Sequence, residues 1–151
     1  MLVRELMTKG LVTVDHTATC EDVAQRMVQH RVRHVPVVGR DGRLAGIVTD
    51  RDLRHYLFQP DVLTRLGSVS VDALLKSVGV SRVMSAPVVS VDAGEPLEEA
   101  ARRMREDRIG ALAVEENGRP VGIITETDLL RRLIDADAQC SGVEAIVVSY
   151  P

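Results

Sequence analysis

The heptad GIVTDRD at residues 46–52 returns as GIITETD at 122–128, and both copies read Gly-x-x-Thr-x-x-Asp. Each stands where an apolar run suited to a β-strand (LAGIV, 44–48; PVGII, 120–124) gives way to a leucine-bearing run suited to a helix (DLRHYLF; DLLRRLI). One hydroxyl and one carboxylate are thereby presented twice, at matching strand-to-helix junctions.

The duplication extends over nearly the whole chain. Met7 matches Met84, LVTVD (11–15) matches VVSVD (88–92), and EDVAQRM (21–27) matches EEAARRM (98–104), all at one offset of 77 positions. A one-residue deletion in a turn then brings Gly42 and Gly46 onto Gly118 and Gly122. The chain reads as one repeat at 1–58, a linker at 59–79, a second repeat at 80–134 and a tail at 135–151. A unit of about 55 residues buries a small share of its own surface, so each copy is expected to cover a face of the other.

Period and punctuation give the order of elements within a unit. A short apolar strand (11–14; 88–91) precedes an amphipathic helix (20–31; 97–108), whose buried face is assigned to Val23, Ala24, Met27 and Val28 in the first copy. Thr19 is its expected N-cap, and Pro96 suits the first turn of the counterpart helix. VPVV (35–38) and LAGIV, joined by GRDGR, predict a hairpin, as do LAV (112–114) and PVGII, joined by EENGR. A second helix follows each Thr-x-x-Asp. The expected class is α/β (α+β), with the order β-α-β-β-α repeated twice. The linker holds a short helix, VDALLKSVG, and the tail (VEAIVVSY at its end) suits an added strand, a dimer-clasping arm or a frayed end.

Composition narrows the function. The chain has 45% hydrophobic residues but no Trp, one Phe and two Tyr, so its core is aliphatic. A net charge of −3 and 2% aromatic residues supply neither the basic field nor the stacking platform that nucleic acids require. Cys20 and Cys140 form no CxxC or metal-knuckle pattern, and His16, His30, His34 and His55 show no ligand spacing, so no metal is expected. MLVRELMTKG lacks the apolar core of a secretory signal, and no run approaches the roughly 18 apolar residues of a membrane span. The expectation is a cytoplasmic protein with no membrane partner.

The Thr-x-x-Asp motif has two readings. A Thr three residues before an acid is a helix capping box, in which each residue binds the other's backbone N–H, contributing about 0.5–2 kcal/mol. The same junction also exposes helix N-terminal N–H groups that favour phosphate, beside a carboxylate suited to ribose hydroxyls. Gly46 and Gly122, three residues earlier, permit close approach by another group.

The paired pattern resembles the tandem cystathionine-β-synthase (CBS) domain, or Bateman module. The likeness rests on the V-x-x-h-M start, the h-h-T/S-V-D strand, VRHVPVV and G-h-h-T-x-x-D-L, over about 3–58 and 80–134. The resemblance implies two repeats packed sheet to sheet about a pseudo-twofold axis, forming two clefts that take AMP, ADP, ATP or S-adenosylmethionine as a regulatory ligand, with no required cofactor. It implies a preferred cleft of Leu11, Val12, Thr13, Arg33, His34 and Pro36 with Thr125 and Asp128. The second cleft combines Thr49 and Asp52 with Val88, Val89, Ser90, Gly110, Ala111 and Leu112. The first is ranked higher because Gly110 and Ala111 replace Arg33 and His34 in the second, where Ala113 also replaces Pro36; Arg51 is a further phosphate candidate there. No nucleophile and base assemble into a catalytic set, so the expected function is a non-enzymatic sensor, homodimeric as family members commonly are. The alternative is a ligand-free dimerisation or scaffold domain.

Overall fold

The structure is a computed structural model and describes residues 1–140. The expected elements form, in the expected order. In the first repeat they are β2 (Val14–Asp15), α2 (Cys20–His30), β3 (His34–Val38), β4 (Leu44–Thr49) and α3 (Asp50–Leu57). In the second they are β5 (Ser90–Asp92), α6 (Leu97–Asp107), β6 (Ala111–Glu116), β7 (Arg119–Thr125) and α7 (Glu126–Cys140). In each sheet the short strand runs parallel to the first hairpin strand, Val14 opposite Val37 and Ser90 opposite Ala113, and the hairpin is antiparallel. Alternation then turns Val35 and Val37, like Leu112 and Val114, toward the helices, where all four are fully buried.

The chain start does not stay with its own repeat. Helix α1 (Val3–Leu6) and strand β1 (Thr8–Lys9) cross to the second repeat, where β1 adds to the edge of β7 with Thr8 opposite Ile123. The equivalent stretch before the second repeat does the reverse. A single 3-10 turn (Val80–Arg82) leads to Ser85, which bridges Ile47 of β4. Val3 is therefore buried in the second core, among Val91, Ala100, Met104, Leu112 and Ile124, and Val80 in the first, among Val14, Val23, Val35 and Val48. Bridges Leu2–Pro96 and Thr19–Gly79 repeat the exchange, which gives the molecule its pseudo-twofold character.

Segment 59–79 is more than a tether. It forms α4 (Pro60–Leu66) and α5 (Val71–Ser77), and Val62, Leu74, Leu75 and Val78 are buried in the first core. Four details differ from the sequence reading, the first being that the short strand of each repeat forms at Val14–Asp15 and Ser90–Asp92, shifted toward the C-terminal end of the 11–14 and 88–91 runs expected. Val28 is 80% exposed, because the buried stripe of α2 runs through Cys20, Val23 and Met27 and leaves Val28 at its edge. Pro96 is the N-cap of α6 rather than a first-turn residue. Helix α7 continues past residue 134 to Cys140, so the expected tail begins inside a helix; its remainder, 141–151, lies outside the described residues. Cys20, at the start of α2, is fully buried and burial pushes its thiol up to about 11, which leaves it inert in the folded protein. No described helix is long and apolar enough to cross a membrane.

Candidate functional site

Both Thr-x-x-Asp motifs close as complete capping boxes. The Thr49 N–H donates to Asp52 Oδ2 at 2.8 Å and the Asp52 N–H to Thr49 Oγ1 at 3.1 Å. At the second junction the Thr125 N–H reaches Asp128 Oδ2 at 2.9 Å, the Thr125 hydroxyl donates to the same oxygen at 2.7 Å, and the Asp128 N–H returns to Thr125 Oγ1 at 3.3 Å. Only Oδ2 of each carboxylate is used, so Oδ1 of Asp52 and of Asp128 has no protein donor among the described residues. The next residue ties each helix to the neighbouring strand: the Asp50 N–H donates to the Arg33 carbonyl at 3.1 Å and the Glu126 N–H to the Gly110 carbonyl at 3.0 Å.

The two junctions line one cleft of about 840 Å³. Its walls include Thr49, Arg51, Asp52, Val88, Val89, Gly110 and Ala111 of the expected second cleft, and Arg33, His34, Thr125 and Asp128 of the expected preferred one. Leu11, Val12 and Thr13, which are partly exposed, and the buried Pro36 do not line it. Ser90 lies outside it as well, its carbonyl held by Arg103 Nη1 at 2.5 Å, and Leu112 is fully buried in the helix-side core. Leu112 can therefore offer a ligand only its backbone. Both basic residues, Arg33 and His34, line the cleft that also holds Asp52 and Asp128.

Gly46 and Gly122 permit the close approach by another group that was read in sequence. A Cβ on Gly122 would lie 2.7 Å from Met7 Sδ and 2.8 Å from the Thr8 carbonyl oxygen. One on Gly46 would meet the Met84 side chain and lie 3.1 Å from the Ser85 carbonyl oxygen. The close approach is made by the exchanged chain segments.

Sequence reasoning missed Arg31 and Arg108. These are the equivalent residues that end α2 and α6 in the left-handed conformation, at φ 53° and 55°, and both line the cleft. Glycine or asparagine is the usual residue there, because a side chain in that region costs about 1 kcal/mol or more. The readable sign was an arginine at the same offset in both repeats, at a helix end where Gly was due.

His34 sits among carboxylates from both repeats. Burial pushes its imidazole below the ordinary histidine range, against the pull of Asp50, Asp52 and Glu126, with Arg33 adding to the depression. A histidine kept neutral by the fold stabilises it fully above the unfolded value of about 6.5, and that contribution is lost as pH falls through the folded value. The urea midpoint is accordingly expected to fall more steeply between about pH 7 and pH 5 in the wild type than in His34→Gln, a slope that equilibrium unfolding at several pH values measures directly.

Comparison with known proteins places this arrangement. The family model described as CBS domain matches residues 3–59 and 80–135. A CBS domain-containing protein of Dictyostelium discoideum is 36% identical over 137 residues, covering 89% of this chain and 92% of that protein. Other curated relatives are longer, and the chain spans less than half of their length. Among solved structures, protein MJ1225 of Methanocaldococcus jannaschii, described as a putative archaeal homolog of g-AMPK, superimposes with a TM-score of 0.77 at 30% identity, covering 87% of this chain and 47% of that one. The CBS domain pair of protein MJ0100, solved with 5′-methylthioadenosine and S-adenosyl-L-methionine, shares the fold with a TM-score of 0.71 at 23% identity, covering 90% and 98%.

Proposed function

Since this chain belongs to the CBS domain family, we propose that it is a regulatory sensor module that takes an adenosyl ligand (AMP, ADP, ATP or S-adenosylmethionine) in the cleft between its repeats. The observation that carries this reading is the pair of half-used carboxylates. Asp52 and Asp128 each keep one oxygen for a ribose hydroxyl while the other oxygen holds its helix start. Aliphatic Ile47, Val88, Val89 and Ile123 offer a surface for the base, and the arginines of the wall offer charge for phosphate. The adenosyl compounds bound by the MJ0100 pair support the ligand class. No residue is assigned a catalytic role. The signal passes on through a homodimer, for which the 60–70% exposed Leu130, Leu133 and Ile134 of α7 supply an apolar contact face.

A second reading is favoured by one observation. The capping boxes are geometrically complete without a ligand, which suits a ligand-free dimerisation or scaffold domain. Thermal unfolding separates the two. A ligand at 100 times its dissociation constant adds about 2.7 kcal/mol, a rise of roughly 5–10 °C for a chain of this size. Asp128→Ala is expected to lose most of that rise, while the ligand-free variant drops by only the value of a cap, about 0.5–2 kcal/mol. No rise in the wild type with any of the four compounds would leave the scaffold reading in place.

A further inference from the structure

Met7 and Met84 are repeat-equivalent, and each rests on the motif glycine of the other repeat. The Met7 sulfur lies 2.7 Å from where a Cβ on Gly122 would stand, and Met84 Cγ 2.8 Å from the same point on Gly46. Both side chains are half-buried at the edges of the two cores, whereas Met27 and Met104 sit inside them, 9% and 3% exposed. The polar atom that shares each slot is a carbonyl oxygen, of Thr8 or of Ser85, which has no hydrogen to give. A compact, apolar thioether suits such a place. A sulfoxide does not, because its oxygen is an acceptor that needs a donor. Thr8 pairs with Ile123 and Ser85 with Ile47, and all four residues line the cleft, so a change at either sulfur is one residue away from the cleft wall.

We propose that Met7 and Met84 are paired oxidation sites, modified by hydrogen peroxide, whose sulfoxides unlatch the exchanged segments and reshape the cleft wall. Each sulfur takes one oxygen from peroxide as the O–O bond breaks. The sulfur is oxidised by two electrons, and the leaving hydroxide takes the proton of the transferred oxygen and departs as water. Methionine sulfoxide reductases with a thiol reductant return the thioether. The modification stands on its own geometry; that it adjusts ligand binding rests on the adenosyl reading above.

The test is timed treatment of the full chain with hydrogen peroxide, followed by peptide mass mapping and thermal unfolding. Met7 and Met84 should gain one oxygen each at least about tenfold faster than Met27 and Met104, since oxidation follows access. The unfolding midpoint should fall with them by about 5 °C or more and recover after reductase treatment. The Met7→Leu/Met84→Leu double variant keeps the volume of both side chains and should hold its midpoint, although the exposed Met1 is still oxidised in it. Each single variant should show part of the fall. Core methionines reacting as fast as Met7 and Met84, an unchanged midpoint once both carry oxygen, or an equal fall in the double variant overturns the proposal. Oxidation should also weaken any of the four adenosyl compounds that the wild type binds by about tenfold, as the wall that holds it shifts. The same midpoint fall in protein that binds none of the four supports the sulfur sites and overturns only the ligand reading.

Discussion

Deleting residues 1–9 is expected to unravel the second repeat and, through the Val80 segment that it lends to the first core, to loosen the first as well. Val3 is fully buried among Val91, Ala100, Met104 and Ile124, and removing such a side chain alone forfeits about 1.5–3 kcal/mol. The deletion also strips backbone hydrogen bonds from Val3 to Glu95, Arg4 to Ala93 and Leu97 to Met1, and uncovers the β7 edge that Thr8 and Lys9 close. Together these exceed a large part of the 5–15 kcal/mol that holds an ordinary domain folded. Hydrogen exchange should show protection lost across α6, β6 and β7, elements about a hundred residues along the sequence from the cut. Loss confined to α2, β3 and β4 would mean that the N-terminal segment serves its own repeat.

Gly122→Val is expected to cost about 3 kcal/mol, at the upper end of overpacking penalties. Its first carbon would already lie 2.8 Å from the Thr8 carbonyl oxygen, and backbone gives way far less readily than the flexible Met7 thioether. The strand pair β1–β7 must part to admit it. Gly10→Ala serves as the comparison: φ is +77° there but nothing lies within 4 Å, so only the left-handed strain of about 1–2 kcal/mol applies. Denaturant midpoints for the two variants should differ in that order, and equal midpoints would remove steric contact as the reason for glycine at 122.

Much of this was legible in the chain because it is written locally. Strand alternation, the Thr19 cap, the hairpin turns and the Thr-x-x-Asp boxes each depend on residues within a few positions of one another, and each formed where read. Val28 was misread because a helical stripe has an edge, and sequence spacing alone does not say which side of Val23 and Met27 meets the core. The crossing of α1 and β1 was illegible for another reason. Val-Arg-Glu-Leu is too short to show a period, and its partners Glu95 and Ala93 are chosen by tertiary packing. The site follows the same division. Asp52 and Asp128 are visible as motifs, whereas the meeting of both in one cleft, with Arg31 and Arg108 beside them, depends on how the two sheets face each other.

The traded lead-in segments carry a consequence for how the protein fails. Each half keeps a fragment of the other in its interior, so neither can lose its order without opening its twin. Heating should give one sharp endotherm, with calorimetric and van't Hoff enthalpies in agreement, where freely jointed twins would give two. Damage near residue 3 is thus felt near residue 124, and a map of tolerated changes drawn along the linear chain would assign its sensitive positions to the wrong twin.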